Sequence, residues 1–465
     1  MHALSPYLRK AQLHNAKWSS LCERYLPIKE SERIWRYSRS SNTTLPQQGW
    51  KLHVSATILS ANKTLSRVAP YLKEKDVLFK APCSLEELAK LNAGPYYGYS
   101  QVGKFITVYP RSDSEAVLLA SELDRLTRGL TAPVVPFDSR FGPRSNVFYR
   151  YGSFNVDEIS DPDGKVTIDC REQIAPPAWV VDPFAKRQID PKPSTTLLDT
   201  PFRAIRALSQ RGKGGVYEGV DFRFDPPRRC IIKQGRFAGE VGWNGKDGAW
   251  MLKKEAAILR KLARAGIDVP AVYSTFQLDN HFYLVMEQIE GEPLQAFLEK
   301  QEKRLTIARI LDLGKQLWTL LKQIHNAGWA WLDCKPANLI LTPDGRLRPV
   351  DFEGTCALES SRSIYWQTRA FTRVTGVADN EALSNSDDLY AFGVTCYFLL
   401  TGRIPERGSQ NRIRTWRSSV PKQLQILVEN LLSSDIKVRP SEAEINRIFT
   451  SDPNLGIVRT TISDS

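Results

Sequence analysis

Histidine is scarce in this chain, five in 465 residues, and no two are spaced as a metal-binding pair. The seven cysteines (Cys22, Cys83, Cys170, Cys230, Cys334, Cys356 and Cys396) are scattered singly. An odd number without a C-x-x-C argues against a disulfide framework and a structural zinc site. The N-terminus, MHALSPYLRKAQLHNAKW, lacks the apolar core of a signal peptide. No apolar run reaches membrane-spanning length. A cytoplasmic protein is therefore expected. Acids are the minority charge, 51 Asp and Glu against 64 Lys and Arg, a net +13. The excess suits anionic partners such as a nucleotide, phosphopeptide, nucleic acid or acidic peptide, without choosing among them. Hydrophobic content of 42% is that of an ordinary globular chain, and the length allows two or three domains.

What is present centres on residues 324–354, IHNAGWAWLDCKPANLILTPDGRLRPVDFEG. Asp333 is followed by Lys335 and Asn338, and Asp351 opens the run Asp351-Phe352-Glu353-Gly354. Each type has a task in phosphoryl transfer. A carboxylate accepts the acceptor hydroxyl's proton, a lysine neutralises the γ-phosphate, and an amide oxygen with a second carboxylate holds a metal on the phosphates. The segment resembles the catalytic and metal-binding loops of protein kinases, H-R-D-x-K-P-x-N and D-F-G. The resemblance makes Asp333 and Lys335 catalytic, and Asn338 and Asp351 Mg²⁺ ligands. Trp331 and Leu332 depart from the His-Arg of the family, and Glu353 from its Gly. Without that Arg, control by activation-loop phosphorylation is not expected.

Residues 201–450 read as a kinase throughout, with ATP and Mg²⁺ as the implied cofactors. IRALSQRGKGGVYEGV has the strand–glycine turn–strand pattern of a phosphate-covering loop. Gly214 aligns with its last glycine; Ser209 and Arg211 stand in the places of the first two, where Gly212 and Gly215 could serve instead. Lys233, in Cys230-Ile231-Ile232-Lys233, resembles the lysine that contacts the α/β-phosphates, with Glu255 as its ion-pair partner. Met286 resembles the gatekeeper, and backbone groups from Glu287 to Ile289 would meet adenine. Leu313, Leu317, Leu320 and Ile324 share a helix face, expected to be core. Asp388 is expected to brace the catalytic loop, Arg439 to be a structural ion-pair partner, and Glu381 stands nearest the A-P-E position.

The first 48 residues are basic and aromatic. A helix packed on the next domain with a solvated basic face is expected; an arm that receives peptide or nucleic acid is the alternative. Residues 49–155 read as an α+β unit. Leu52, Val54 and Ala56 alternate with Lys51, His53 and Ser55, as on a strand with one buried face. Ser84 and Glu87 form a capping-box signal. Lys80, Lys104, Arg140 and Arg150 lie on or beside other strand-like runs. If these strands are neighbours, the cations collect a phosphate dianion and depress the pKa of a lysine among them. A neutral lysine base and a histidine acid suit removal of an α-proton with expulsion of phosphate.

The runs GWKLHVSAT, FK, GKFITVYP and YRYGSF resemble the N-terminal lyase domain of class III and IV lanthipeptide synthetases, itself similar to phosphothreonine lyases. The resemblance makes Lys51 the base, His53 the acid, and Lys80, Lys104, Arg140 and Arg150 the phosphate ligands. The expected organisation is an α+β fold: a basic helical arm over 1–48, the lyase-like domain and Pro-rich linker over 49–190, a bilobal kinase over 191–450 and a disordered tail over 451–465. The implied activity is dehydration of Ser and Thr in a precursor peptide, by phosphorylation and then elimination. No cyclase domain is recognisable, so a separate cyclase in trans is a candidate partner. No nucleic-acid partner is expected. An ordinary Ser/Thr kinase with a phosphopeptide-binding domain is the first alternative, and a pseudokinase scaffold the second.

Overall fold

The computed structural model describes residues 6–29, 34–39, 45–155, 157–185, 197–301, 304–360, 371, 384–405, 416 and 418–449. Glu381, the end of the linker and the tail beyond 449 lie outside the described residues. The chain forms two compact units, one of residues 3–253 with 273–286, the other mainly of 254–272 and 287–465.

In the first unit, α1 (Pro6–Tyr25) precedes β1 (Ile28–Lys29), β2 (Trp35–Tyr37) and β3 (Gln48–Val54). Then come α2 (Ala61–Glu74), β4 (Leu78–Pro82), α3 (Leu85–Ala93), β5 (Ile106–Tyr109), α4 (Asp113–Thr127), β6 (Ser139–Arg140) and β7 (Val147–Ser153). The strands make one seven-stranded sheet, ordered β1-β2-β4-β5-β3-β7-β6, with every neighbour antiparallel. One face is a continuous core. Trp50, Leu52, Val54, Phe79, Ile106, Val108 and Tyr149 meet Leu65, Val68 and Leu72 of α2 and Leu119 and Leu123 of α4. Strand alternation, period two, therefore turns Lys51 and His53 to the other face. The Ser84 hydroxyl accepts the Glu87 amide at 3.1 Å, the cap expected for α3.

The N-terminal segment is part of this domain. Trp18, Cys22 and Leu26 are buried in its core, and Trp18 lies 5.5 Å from Phe105 between ring centroids. The remaining positions of α1 carry its basic residues outward, and β1 and β2 extend the sheet. A short hairpin, β8 (Glu158–Ser160) and β9 (Val166–Ile168), follows.

The same unit continues into a five-stranded sheet, ordered β10-β11-β12-β14-β13. Its strands are β10 (Phe202–Arg211), β11 (Gly214–Asp221), β12 (Arg228–Gly235), β13 (Val272–Leu278) and β14 (His281–Glu287), with α5 (Gly248–Arg264) between β12 and β13.

The second unit is mostly helical. After β15 (Glu292–Pro293) come α6 (Leu294–Glu299), α7 (Ile307–Asn326), β16 (Trp329–Ala330), β17 (Leu339–Leu341), β18 (Leu347–Pro349), β19 (Cys356–Ala357), α8 (Ser386–Thr401), α9 (Lys422–Leu431) and α10 (Glu442–Phe449). Leu313, Leu317 and Ile324 of α7 are buried, as their spacing predicts, and α8 is buried along nearly its whole length. Among the described residues no helix is long and apolar enough to cross a membrane.

Candidate active sites

The second face of the seven-stranded sheet assembles the first site, and register decides its members. Directly opposed residues in antiparallel strands share a face. Lys51 faces Arg150 across β3 and β7, and His53 faces Thr107, which faces Lys80. A cavity of about 410 Å³ opens over this row, lined by Lys51, His53, Lys80, Lys104, Arg150, Arg171 and an aromatic wall of Trp35, Tyr37, Tyr109 and Phe154.

Five of the six sequence-predicted lyase residues are thus brought together. Arg140 is the exception. It shares the face, but it stacks on Phe148, 5.0 Å from the ring centroid, and does not line the cavity. The cavity reaches from β7 across β3 and β5 to Lys80 of β4, while Arg140 lies farther out, on the edge strand β6.

Two buried acids that sequence reading missed organise the cations. Asp138 Oδ2 lies 2.5 Å from His53 Nδ1, and its Oδ1 lies 3.0 Å from Lys104 Nζ. Burial would raise the Asp138 carboxyl, but His53 and Lys104 outweigh it and hold it at about 2. An ionised carboxylate only accepts, so Nδ1 carries hydrogen and Nε2 is left for substrate. Asp169 receives Arg150 at 2.5 Å and the Ser153 amide at 3.0 Å, and lies 3.7 Å from Lys51. Its approach needs a glycine below it: a Cβ on Gly152 would stand 2.5 Å from Asp169 Oδ2.

Burial lowers Lys51 to about 8, partly opposed by Asp169 and reinforced by Arg150 and Lys104. Its ammonium donates to the Ser153 carbonyl at 2.5 Å. Burial likewise lowers Lys104 against Asp138, and takes His53 down to about 4 despite Asp138. Such a pocket offers several cations for a dianion and a lysine close to losing its proton at neutral pH.

The second site is a pair of loops in the helical unit. Lys335 Nζ lies 2.8 Å from Asp333 Oδ2, and Asn338 Nδ2 donates to the same oxygen at 2.6 Å and to the Asp333 carbonyl at 3.1 Å. Both amide hydrogens of Asn338 are thereby directed at Asp333, and its oxygen is the atom left for a cation. An amide oxygen and a carboxylate such as that of Asp351 are hard donors of the kind a divalent cation takes. Asp388 is fully buried and accepts the amides of Trp331 and Leu332 at 2.7 and 2.6 Å and His325 Nε2 at 2.9 Å. It braces the loop as expected. Glu255 accepts the Phe352 amide at 3.2 Å. Glu287 donates its amide to the Ala271 carbonyl at 2.9 Å, and its carboxylate receives Arg348. Arg439 donates to the carbonyls of Ser386 and Ser433.

In the first unit, Gly212-Lys213 is a two-residue turn between β10 and β11, and Lys233 pairs with Val216 across β11 and β12. Gly214 and Gly215 open β11, opposite Gly235 and Gln234. The Gly212 amide donates to the Ala93 carbonyl at the end of α3, 2.9 Å away. Nothing in the local sequence announces this contact, which joins residues far apart in the chain.

A family model described as "RamC, N-terminal domain" matches residues 28–196, and the protein kinase domain model matches residues 244–449. The chain joins a RamC N-terminal domain to a protein kinase domain. The kinase match begins after the glycine turn and Lys233, in keeping with the altered turn. The chain is 29% identical over 343 residues to a Streptomyces coelicolor protein described as "Probable SapB synthase", covering 69% of this chain and 36% of that one. That similarity extends beyond the kinase domain alone. It is 30% identical over 265 residues to serine/threonine-protein kinase F of Synechocystis, covering 52% of each, and 29% identical over 216 residues to PknA of Mycobacterium tuberculosis, covering 44% of this chain and 48% of that kinase. The chain thus spans about a third of the first relative's length and about half of the kinases'. A protein kinase domain uses ATP and a divalent metal.

Proposed function

We propose that the chain is a peptide Ser/Thr dehydratase working in two steps. The kinase domain transfers the γ-phosphoryl of ATP to a Ser or Thr hydroxyl of a precursor peptide. The RamC N-terminal domain then eliminates that phosphate, leaving dehydroalanine or dehydrobutyrine. The reading rests above all on one observation: a buried lysine and a histidine share a cation-lined cavity in a chain that also carries a kinase catalytic loop.

In the first step Asp333 accepts the hydroxyl proton, and Lys335 neutralises developing charge on the transferred group. Asn338 and Asp351 hold Mg²⁺, which when bound screens the nucleotide phosphates. Lys233, Gly214, Gly215 and the backbone of Glu287 to Ile289 serve the nucleotide, and Glu255 holds the Phe352 amide.

In the second step the phosphate sits among Lys80, Lys104 and Arg150, with Arg171 as a further cation. Lys51 takes the α-proton, the C–O bond breaks as the C=C bond forms, and phosphate leaves with the electron pair. The dianion beside His53 favours its charged form, so His53 supplies a proton to the leaving oxygen. Hydroxide leaves poorly and phosphate well, which is the reason for phosphorylating first. One chain also raises the effective concentration of intermediate at the second site. The setting is the cytoplasm, and a separate cyclase acting on the product is a proposed partner.

The deciding experiment incubates the protein with ATP, Mg²⁺ and Ser/Thr-rich peptides encoded beside its gene, and reads product mass. Loss of water supports the dehydratase. Accumulation of phosphopeptide alone supports the second reading, an ordinary kinase with a phosphopeptide-binding domain, which its similarity to Synechocystis kinase F favours.

A further inference from the structure

Asp138 holds both His53 and Lys104, so whatever fixes Asp138 acts on the elimination site. It lies on the connection between α4 and β6. The start of that connection is tied down where β3 ends, the Ser55 hydroxyl donating to the Pro133 carbonyl at 2.7 Å. Its end is irregular. Phe137, just before Asp138, has φ +61°, a left-handed value that a bulky residue adopts only when its surroundings impose it. The Phe137 ring meets Tyr99 edge to face, with centroids 5.8 Å apart and planes at 87°. Tyr99 opens a single helical turn, Tyr99–Gln101, whose Gln101 lines the cavity.

Tyr99 is in turn held from the five-stranded sheet. The Arg236 guanidinium lies over its ring, 4.9 Å from the centroid, in cation–π contact. Arg236 directly follows β12, and its side chain is fixed in place. Nη1 donates to the Arg211 carbonyl at 2.6 Å, Nη2 to Gln210 Oε1 at 3.0 Å and Nε to Gln234 Oε1 at 3.2 Å. Its amide donates to the Lys213 carbonyl at 2.8 Å. A line of contacts, Arg236 to Tyr99 to Phe137, therefore runs within the first unit from the glycine hairpin to the residue before Asp138.

We propose that Arg236 is a positioning residue for elimination, holding Tyr99 against Phe137 and so fixing the left-handed turn that presents Asp138 to His53. This rests on the lyase reading of the cavity. Asp138 keeps hydrogen on His53 Nδ1 and thereby turns Nε2 to the substrate. A carboxylate free to shift by about 1 Å no longer enforces that choice. The five-stranded sheet thus completes a site whose base and acid stand on β3.

The test uses the full chain with two readouts. Ring-nitrogen shifts of ¹⁵N-histidine protein show where the His53 hydrogen sits, the signal being assigned by its loss in His53→Gln. Elimination is measured on a synthetic phosphopeptide. Tyr99→Leu removes the ring and leaves Arg236 its hairpin contacts. Its His53 signal should move from the Nδ1–H form to a mixture of both ring forms, and kcat should fall about tenfold. KM should stay within about twofold, because Lys80 and Arg150 still bind phosphate. Tyr99→Phe, which keeps the ring, should restore the rate and the signal. Arg236→Met should reproduce the loss. The double variant should be no slower than Tyr99→Leu, since groups that act through one another do not add. A wild-type His53 signal and rate in folded Tyr99→Leu would overturn the proposal, as would a double variant that loses the product of the two single factors. Should Tyr99→Leu fail to fold, Arg236→Met decides by the same readouts. A wild type that eliminates no phosphate would instead sink the lyase reading, and this proposal with it.

Discussion

The amide of Gly212, at the tip of the glycine turn, donates to the carbonyl of Ala93 at the C-terminal end of α3. The kinase's glycine hairpin therefore rests on the lyase-like domain. The contact leaves no room for a side chain, since a Cβ on Gly212 would fall 1.6 Å from the Asn92 carbonyl oxygen. Asn92 is in turn fixed, donating to the Ala56 carbonyl at 3.0 Å and accepting the Gly103 amide at 3.1 Å.

Gly212→Ala should therefore force the hairpin off α3. Overpacking of this kind costs about 1–3 kcal/mol. The denaturant midpoint should fall with its slope unchanged, and phosphorylation should weaken with it. A wild-type midpoint would show that the hairpin and α3 do not stay in contact in solution.

The pH dependence of elimination follows from two shifted groups. Lys51 titrates near 8 and His53 near 4, both lowered chiefly by burial. The active form needs Lys51 neutral and His53 charged. The dominant form between these values has Lys51 charged and His53 neutral, and it holds the same number of protons. Interconverting the two neither takes up nor releases a proton. With a phosphopeptide supplied, kcat/KM should thus be flat from about pH 6.5, where the substrate is dianionic, to about 8. Above that it should fall about tenfold per unit. In His53→Gln only Lys51 titrates, so the much slower reaction should rise to about pH 8 and then level. A wild-type rate that rises through 8 would remove His53 as the acid. No rise in His53→Gln would remove Lys51 as the base.

Asp138 is the group that keeps His53 able to hold a proton at all, because its charge opposes the effect of burial. Asp138→Asn should lower elimination by at least about tenfold, within the roughly 10²–10⁴ that a general acid contributes. Phosphorylation by the same protein should persist and serves as the folding control. Unchanged elimination would make Asp138 merely a counter-ion to Lys104.

Much of this was legible in the sequence because the chemistry is local there. Asp333, Lys335 and Asn338 lie within one loop, and a fixed short spacing fixes their geometry, so their meeting needs no knowledge of the fold. Lys51 and His53 were legible through strand alternation, which sets the face and nothing more. Register and strand order decide the rest, and they are not written locally. Arg140 shares the correct face yet lies on the edge strand β6, beyond the cavity. Arg171, which lines the cavity, and Asp169, which holds Arg150 beside it, follow the β8–β9 hairpin, and only the fold brings that stretch back to β7. Asp138 was overlooked because a search for phosphate ligands looks for cations, whereas burying several cations requires acids beside them. The basic residues of α1 drew attention to its exposed side, while Trp18, Cys22 and Leu26 bind it to the core.

The order of the two steps can be read from two variants and their mixture. Lys51→Ala removes the proton acceptor but keeps Lys80, Lys104 and Arg150, so the pocket still binds phosphate. Given ATP and the true precursor, it should accumulate phosphopeptide without loss of water. Asp333→Asn removes the acceptor of the hydroxyl proton while its amide can keep contacts within the loop. It should give neither product from unmodified peptide, yet should eliminate phosphate from a peptide supplied already phosphorylated. Mixed together, the two variants should restore dehydration more slowly than wild type, because the intermediate now diffuses between chains. Mass spectrometry separates unmodified, phosphorylated and dehydrated peptide in one assay. Dehydration of unphosphorylated peptide by Asp333→Asn would refute phosphorylation as the first step. Full dehydration by Lys51→Ala would take Lys51 out of the mechanism and return the cation-lined cavity to a binding role.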